Sequence, residues 1–375
     1  MAPAPEHAAE DRARREALLA WFAAHQRDLP WRRSRDAYRV WISEAMLQQT
    51  RVEAVVPYFE RFLARFPTLA DLAAASEDDV VAAWSGLGYY RRARALREAA
   101  REVVAHHGGR FPADRKDALA LPGVGPYTAG AVLSIAYDLR VPLVDGNVTR
   151  VLARWFGLSQ PVGTSALTSE LWRLAERLLP PEGATEARGP GAWNQALMEL
   201  GATVCTPRSP RCEACPVAEP CAARASGRVD ELPVPAPRRA PVDVRLGVAL
   251  AVRGERILVE RRPARGRMAG MWELPTRELP GPEGGLTGLW PPEFAGPALR
   301  EGEPLGEVSH GITHHRIRAR VRAAWAEGEG GADGAPERRW VSPEAASELG
   351  LTGMARKILA RPFVFEHLGS LGSRP

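Results

Sequence analysis

The chain has 375 residues, 45% hydrophobic and 25% charged, with a net charge of +5 and a pI near 9.3. Those values are ordinary for a globular protein, and the length suggests about two domains. No stretch approaches the ~20 apolar residues of a membrane span, and the Ala/Pro-rich, charged N-terminus has no apolar signal-peptide core, so export is not expected.

In chain order, residues 1–11 are expected to be a disordered tail. From 12 to 227 the helical period dominates: 17–24, 38–66, 69–84, 91–106 and 167–179 all place apolar residues three and four apart. Asp78 and Ser85 stand where short turns would separate helices, and strand-like alternation is nearly absent. The expectation is an all-α domain. Within it, WISEAMLQQT (41–50) sets Glu44 inside a helix beside Trp41, Ala45, Met46 and Leu47. A carboxyl among apolar neighbours has a raised pKa, which keeps it protonated near neutrality and able to donate. A solvated helix-surface glutamate is the plain alternative.

LPGVGPYTAG (121–130) puts Gly123 and Gly125 in a tight turn ahead of a helix starting near Thr128. Glycines admit a phosphate closely, and the free amides of a helix N-terminus supply donors. The pattern reads as a helix-hairpin-helix that grips a DNA backbone without reading its sequence. Twenty residues beyond Gly125, Asp145 follows an apolar run and precedes Gly146 and Asn147. Asp is a good N-cap, but Asn147 can take that role, which leaves Asp145 free for chemistry.

All four cysteines then fall within 17 residues, as Cys205-x6-Cys212-x2-Cys215-x5-Cys221. Zinc sites usually present two short Cys-x2-4-Cys knuckles across a longer loop. One x2 pair flanked by wider gaps favours the four corners of a [4Fe–4S] cluster instead, with zinc, disulfides or idle thiols as the alternatives. Such a cluster could be redox-active or simply a staple for one loop.

Residues 228–242, with four prolines and no apolar period up to Pro241, read as an extended interdomain linker. Beyond it the chain is β-rich. Residues 244–252 and 257–260 flank a Gly254 turn as a hairpin, and 316–321 (RIRARV) alternates strictly as a strand. Residues 342–359 read as one closing helix, 328–334 as a glycine-rich loop, and 363–375 as a tail.

Taken together, LPGVG, the downstream aspartate and the cysteine spacing resemble the helix-hairpin-helix DNA glycosylases of base-excision repair. WISEAMLQQT, GLGYYRRARAL (86–96), VDGNVTRV (144–151) and WNQALMELGA (193–202) are similar, in order, to the MutY-type adenine glycosylases over about residues 20–225. The resemblance implies a multi-domain protein, α and α+β. Its first domain (12–227) would be an all-α helix-hairpin-helix with an iron–sulfur loop. Its second (243–362) would be a Nudix-like (MutT-like) α/β domain that recognises 8-oxoguanine. The Nudix hydrolase box is absent from the sequence, so its magnesium-binding carboxylates are missing and diphosphate hydrolysis is not expected. Endonuclease III carries its catalytic lysine where this chain has Tyr127, so no Schiff base is expected and the enzyme should be monofunctional.

By the same resemblance Glu44 is the general acid and Asp145 stabilises the oxocarbenium-like sugar, with Tyr127 beside both. Gly123, Val124, Gly125 and Tyr127 would meet DNA phosphate. Arg27, Trp31, Arg32 and Gln195 would line the adenine pocket, and Gln48, Gln49 and Tyr89 would probe the gap and the opposing base. Trp31 and Tyr89 fit the protein core as readily. The family's Phe-Ser-His loop aligns with Ile312-Thr313-His314, with Ser309-His310 as a competing alignment. The implied partner is duplex DNA holding 8-oxoguanine·A or G·A, with no membrane. The enzyme would be a monomer, cytoplasmic and nucleoid-associated in a bacterium. The rival functions are a G·T mismatch thymine glycosylase and a catalytically silent damage-binding protein.

Overall fold

The computed structural model describes residues 5–181, 184–237, 240–263, 268–279, 299–312, 314–326 and 338–371. They form two compact units: 1–75 with 95–237, and 76–94 with 238–375.

The first unit is helical. Its helices are α1 (Pro5–His25), α2 (Ala37–Leu47), α3 (Val52–Arg65), α4 (Leu69–Ala74), α6 (Arg91–His106, entering the unit at Ala95), α7 (Arg115–Ala120), α8 (Pro126–Tyr137), α9 (Gly146–Trp155), α10 (Ser165–Leu178), α11 (Pro190–Thr203) and α12 (Ala222–Ala225). The helix α5 (Glu77–Ala83) belongs to the second unit. Many starts are set by side-chain caps: Asp36 accepts from the Arg39 amide, Thr68 forms a capping box with Asp71, and Asp114 accepts from Lys116 and Asp117. Pro at the first position opens α8 and α11, where its missing N–H costs nothing. The helix α8 is buried from Thr128 through Ile135 and packs on α2, α7 and α11, while α11 also meets α1 and α9. A helix buried on all sides must be apolar all round, and the sequence PYTAGAVLSIAY meets that need.

The helical expectation holds, with shifted boundaries. The expected tail 1–11 is already in α1 from Pro5. Asp11 is only 3% exposed there and pairs with Arg177 at 3.0 Å, so local composition is overridden by a long-range ion pair. The run 38–66 splits at Gln48–Arg51, where Gln49 takes φ +58. The next break falls at Ser76, which caps α5, and not at Asp78. The first half of the expected linker is docked: the Leu232 side chain is buried and its carbonyl accepts from Arg154 Nε at 2.9 Å.

Among the described residues the second unit is a seven-stranded sheet with helices. Its strands are β1 (Val242–Arg253), β2 (Arg256–Arg261), β3 (Trp272–Glu273), β4 (Thr276–Glu278), β5 (Leu299–Ile312), β6 (His315–Ala326) and β7 (Arg338–Val341). The order is β3-β2-β1-β6-β5, with β4 on β1 and β7 on β2. The β1–β2 hairpin pairs Val252 with Ile257 around the Gly254 turn, as the alternation predicts. The strands β1 and β6 run parallel, Val242 to Ala251 against His315 to Ala324. Val244, Leu246, Val248, Leu250 and Val252 point to one core with Met354 and Ile358, while Ala249 and Ala251 face a second core with Trp340. The single helix expected over 342–359 is two, α13 (Pro343–Glu348) and α14 (Gly353–Leu359), each with its own cap, Ser342 and Thr352. The expected tail from 363 holds α15 (Pro362–Leu371), pinned by buried Val364. The glycine-rich loop 328–334 lies outside the described residues.

Candidate active site

Glu44 sits in the middle of α2 and is 4% exposed, so the buried reading replaces the solvated one. Burial pushes its carboxyl up to about 7, against a hydrogen bond from Tyr127 that favours the charged form; the charge of Asp145 pushes it further up. The Tyr127 hydroxyl, from the first turn of α8, donates to Glu44 Oε2 and lies 3.5 Å from Met198 Sδ. Burial and the two carboxylates raise its own pKa far beyond neutrality, so it remains a donor.

Asp145 is the N-cap of α9, and the expectation that Asn147 would take that role is corrected. Its Oδ1 accepts from the Val148 amide at 2.7 Å, and its Oδ2 accepts from Asn147 Nδ2 at 3.0 Å. Capping and chemistry coexist, because the cap bonds orient the carboxylate while leaving it on the pocket wall. Burial raises its pKa, opposed by those same hydrogen bonds.

Glu44, Tyr127 and Asp145 line one cavity of ≈ 150 Å³ together with Arg27, Trp31, Arg32 and Gln195. Every expected pocket residue is therefore there. Trp31 is buried against the edge of Phe59 and also lines the cavity. Sequence reasoning missed Glu199, on α11, which is 1% exposed. Arg27 grips it through Nε and Nη2, both at 2.8 Å, and Arg32 Nη2 joins at 2.9 Å. Burial alone would push this carboxyl up; the guanidinium bonds prevail and hold it at about 2. Both arginines are thereby locked against the cavity.

Gln48 caps the end of α2 and its Nε2 donates to Thr128 Oγ1 at 3.2 Å, while Gln49 forms the following turn. The hairpin between α7 and α8 turns at Gly123, φ +74, where a Cβ would lie 2.7 Å from that of Ala95; only glycine fits. The Val124 side chain is buried and its N–H donates to the Leu121 carbonyl, so that amide closes the turn. Tyr127 turns its ring into the cavity, which leaves only its backbone for a phosphate.

The four cysteine thiols line one pocket with Arg154 and Val204. Four thiols around a shared space suit a larger iron–sulfur unit. Burial pushes the Cys215 thiol up to about 11, against the Val217 amide, which lowers it, and with the neighbouring thiols adding to the rise. The loop is tied to Asp145. Arg150 Nε donates to the Cys205 carbonyl at 2.6 Å and its Nη2 to Asn147 Oδ1 at 2.8 Å, and Asn147 bonds Asp145.

In the second unit, Tyr89 is 50% exposed with φ +49, which rules out its core reading. Ile312 pairs with His315 at the end of the β5–β6 hairpin, so His314 belongs to the hairpin tip, where its ring lies tilted by 40° with its centroid 4.2 Å from that of His315. Thr313 lies outside the described residues. Ser309 and His310 lie within the ladder, opposite Arg318 and Ile317.

Residues 42–177 match the HhH-GPD superfamily of base excision DNA repair proteins, 205–221 the iron-sulfur binding domain of endonuclease III, and 247–361 a NUDIX domain. The chain is 30% identical to a thermostable thymine-DNA glycosylase structure, with TM-score 0.51, over 59% of this chain and 99% of that one. It is 37% identical to the adenine DNA glycosylase of Rattus norvegicus over 92% of this chain and 77% of the relative, and 36% identical to that of Homo sapiens over 93% and 74%. The thymine enzyme thus parallels little more than half the chain, whereas these relatives run through helices, iron–sulfur loop and sheet alike. The chain belongs to the adenine DNA glycosylases.

Proposed function

We propose that this enzyme hydrolyses the N-glycosidic bond of adenine paired with 8-oxoguanine or G in duplex DNA, by a monofunctional route. The observation that carries the reading is Glu44, buried, pushed up to about 7, and sharing one cavity with Asp145 and neutral Tyr127.

Adenine leaves poorly until a ring nitrogen is protonated. Glu44 donates that proton, and the C1′–N9 electrons depart with the base. The resulting oxocarbenium-like sugar is held by the Asp145 carboxylate, whose charge the Val148 and Asn147 bonds favour. A water then attacks C1′ and returns its proton to Glu44, which restores the starting state. Tyr127 steadies the Glu44 carboxylate between the two steps. Reaching this cavity requires the adenine to be flipped out of the duplex, where Trp31, Gln195 and the Arg27–Arg32–Glu199 cluster would receive it. With Tyr127 in place of an amine, no covalent imine forms and the strand stays intact.

The backbone of Gly123–Gly125 and the first turn of α8 would hold phosphate. The iron–sulfur cluster, held by Cys205, Cys212, Cys215 and Cys221, would fix the loop that orients Arg150, Asn147 and thus Asp145. Gln48, Gln49, Tyr89, Thr313 and His314 would read the gap and the opposing base. The hairpin-tip position of His314 supports the 312–314 alignment over Ser309-His310. The enzyme would act as a monomer on the bacterial nucleoid.

The test is single-turnover base release from duplexes with A opposite 8-oxoguanine, A·G, G·T and A·T, with and without alkali. Adenine released from the first two, with nicking only after alkali, is expected. Thymine release from G·T, or nicking without alkali, would overturn the reading.

A further inference from the structure

Residues 76–94 lie within the stretch that matches the glycosylase family, yet they cluster with 238–375. This segment carries α5 and then a loop whose shape is forced. Gly86 takes φ +106, Gly88 φ +72 and Tyr89 φ +49. A left-handed tyrosine costs free energy and persists only where its surroundings over-determine it. Its side chain is half-exposed.

The loop is braced internally: Trp84 Nε1 donates to the Gly88 carbonyl at 3.1 Å and the Gly86 amide donates to the Tyr90 hydroxyl at 3.2 Å. Arg92 lies between two rings, 5.5 Å from that of Trp84 and 5.3 Å from that of Tyr89. Its flanks are fixed from outside. Glu77 Oε1 accepts from Arg94 Nε at 2.8 Å and from Arg261 Nη2 at 2.7 Å, which ties both ends of the segment to β2. Arg94 also donates to the Ala269 carbonyl, and Arg261 to that of Gly270 at 3.1 Å. Arg356 of α14 donates to Ser85 Oγ, at the root of the loop. Val81 approaches Gly350 so closely that a Cβ there would stand 2.3 Å from its Cγ1.

We infer that Glu77 and Arg261, with Arg356 on Ser85, are positioning residues for Tyr89. Through them the sheet unit sets how strictly the base opposite adenine is selected. The inference rests on the reading of Tyr89 as a probe of that base. None of these groups touches the cavity of Glu44 and Asp145 among the described contacts.

The experiment measures single-turnover adenine release from A opposite 8-oxoguanine and A opposite G, against enzyme concentration, for wild type, Glu77→Ala, Glu77→Gln, Tyr89→Ala and the Glu77→Ala/Tyr89→Ala pair. Glu77→Ala is expected to lower the preference for 8-oxoguanine about fivefold, the scale of a partly exposed ion-pair network. The loss should fall on the half-saturating concentration, leaving the plateau rate intact. Gln at 77 keeps an acceptor for Arg261 and should recover most of the loss. If Glu77 acts through Tyr89, the double variant is no worse than Tyr89→Ala. Additive losses, or a lowered Tm with unchanged preference, would overturn the inference and leave the glycosylase reading standing. An unchanged preference in Tyr89→Ala would instead remove the assignment of Tyr89, and this inference with it.

Discussion

Burial moves the Glu44 carboxyl out of the ordinary range of glutamates. As the acid of the proposed route it would have to be protonated, so base release should decline as pH rises through about 7. Glu44→Gln should cut release by ~10²–10⁴-fold while duplex binding, read by gel shift, survives. The same group carries a stability signature. Its value rises from 4.5 to about 7 on folding, so the native state keeps a proton that the unfolded chain has lost. That contribution is fully present below pH 4.5 and is lost as pH rises to about 7. Wild-type Tm should therefore fall across this window relative to the Gln variant. Asp145 makes a second residue-level case. Asparagine there retains cap acceptance and removes charge, whereas alanine removes both. Asp145→Ala should be ~1 kcal/mol less stable than Asp145→Asn in denaturant melts, with base release lost in both. The apolar neighbours of Glu44 left a buried and a solvated reading open in sequence, and the fold decides for the buried one. Glu199 was not legible, because its partners Arg27 and Arg32 stand 172 and 167 residues away and only the fold introduces them.

At the level of elements, the helix-hairpin-helix turn was readable because its glycines answer a local steric demand. Gly123→Ala would meet both a positive φ and the Ala95 methyl, and should cost ~1–3 kcal/mol in thermal unfolding with weakened duplex binding. Element boundaries were less legible. The apolar period runs through 38–66 unbroken, yet α2 ends at Leu47 because Gln48 and Gln49 leave helical geometry. The single helix expected over 342–359 fails similarly: Thr352 caps a new helix and its amide donates to the Trp272 carbonyl, a strand partner far away in sequence. Periodicity reports which face is apolar. It does not report where tertiary contacts interrupt the ladder.

For the molecule as a whole, a net charge of +5 is small for a protein that must hold a polyanion. Binding of the Glu44→Gln variant to undamaged duplex should weaken linearly in log–log plots against salt, by ~0.9 per phosphate engaged. A slope near zero would show that the charge is only a solvated surface. The two-part layout was readable from composition, since the proline-rich stretch near 233–241 marks a change from helical to alternating pattern. The membership of 76–94 in the sheet unit was not. Nothing local distinguishes Glu77 from any other first-turn acid, and its guanidinium partner comes 184 residues later.

That arrangement bears on how such proteins can be recombined. A sheet domain borrowed from a relative and joined at the proline-rich stretch would arrive without the α5 segment to which its arginines answer. The seam that respects the contacts is discontinuous: residues 76–94 must travel with 238–375, and drift in one piece constrains what the other can accept.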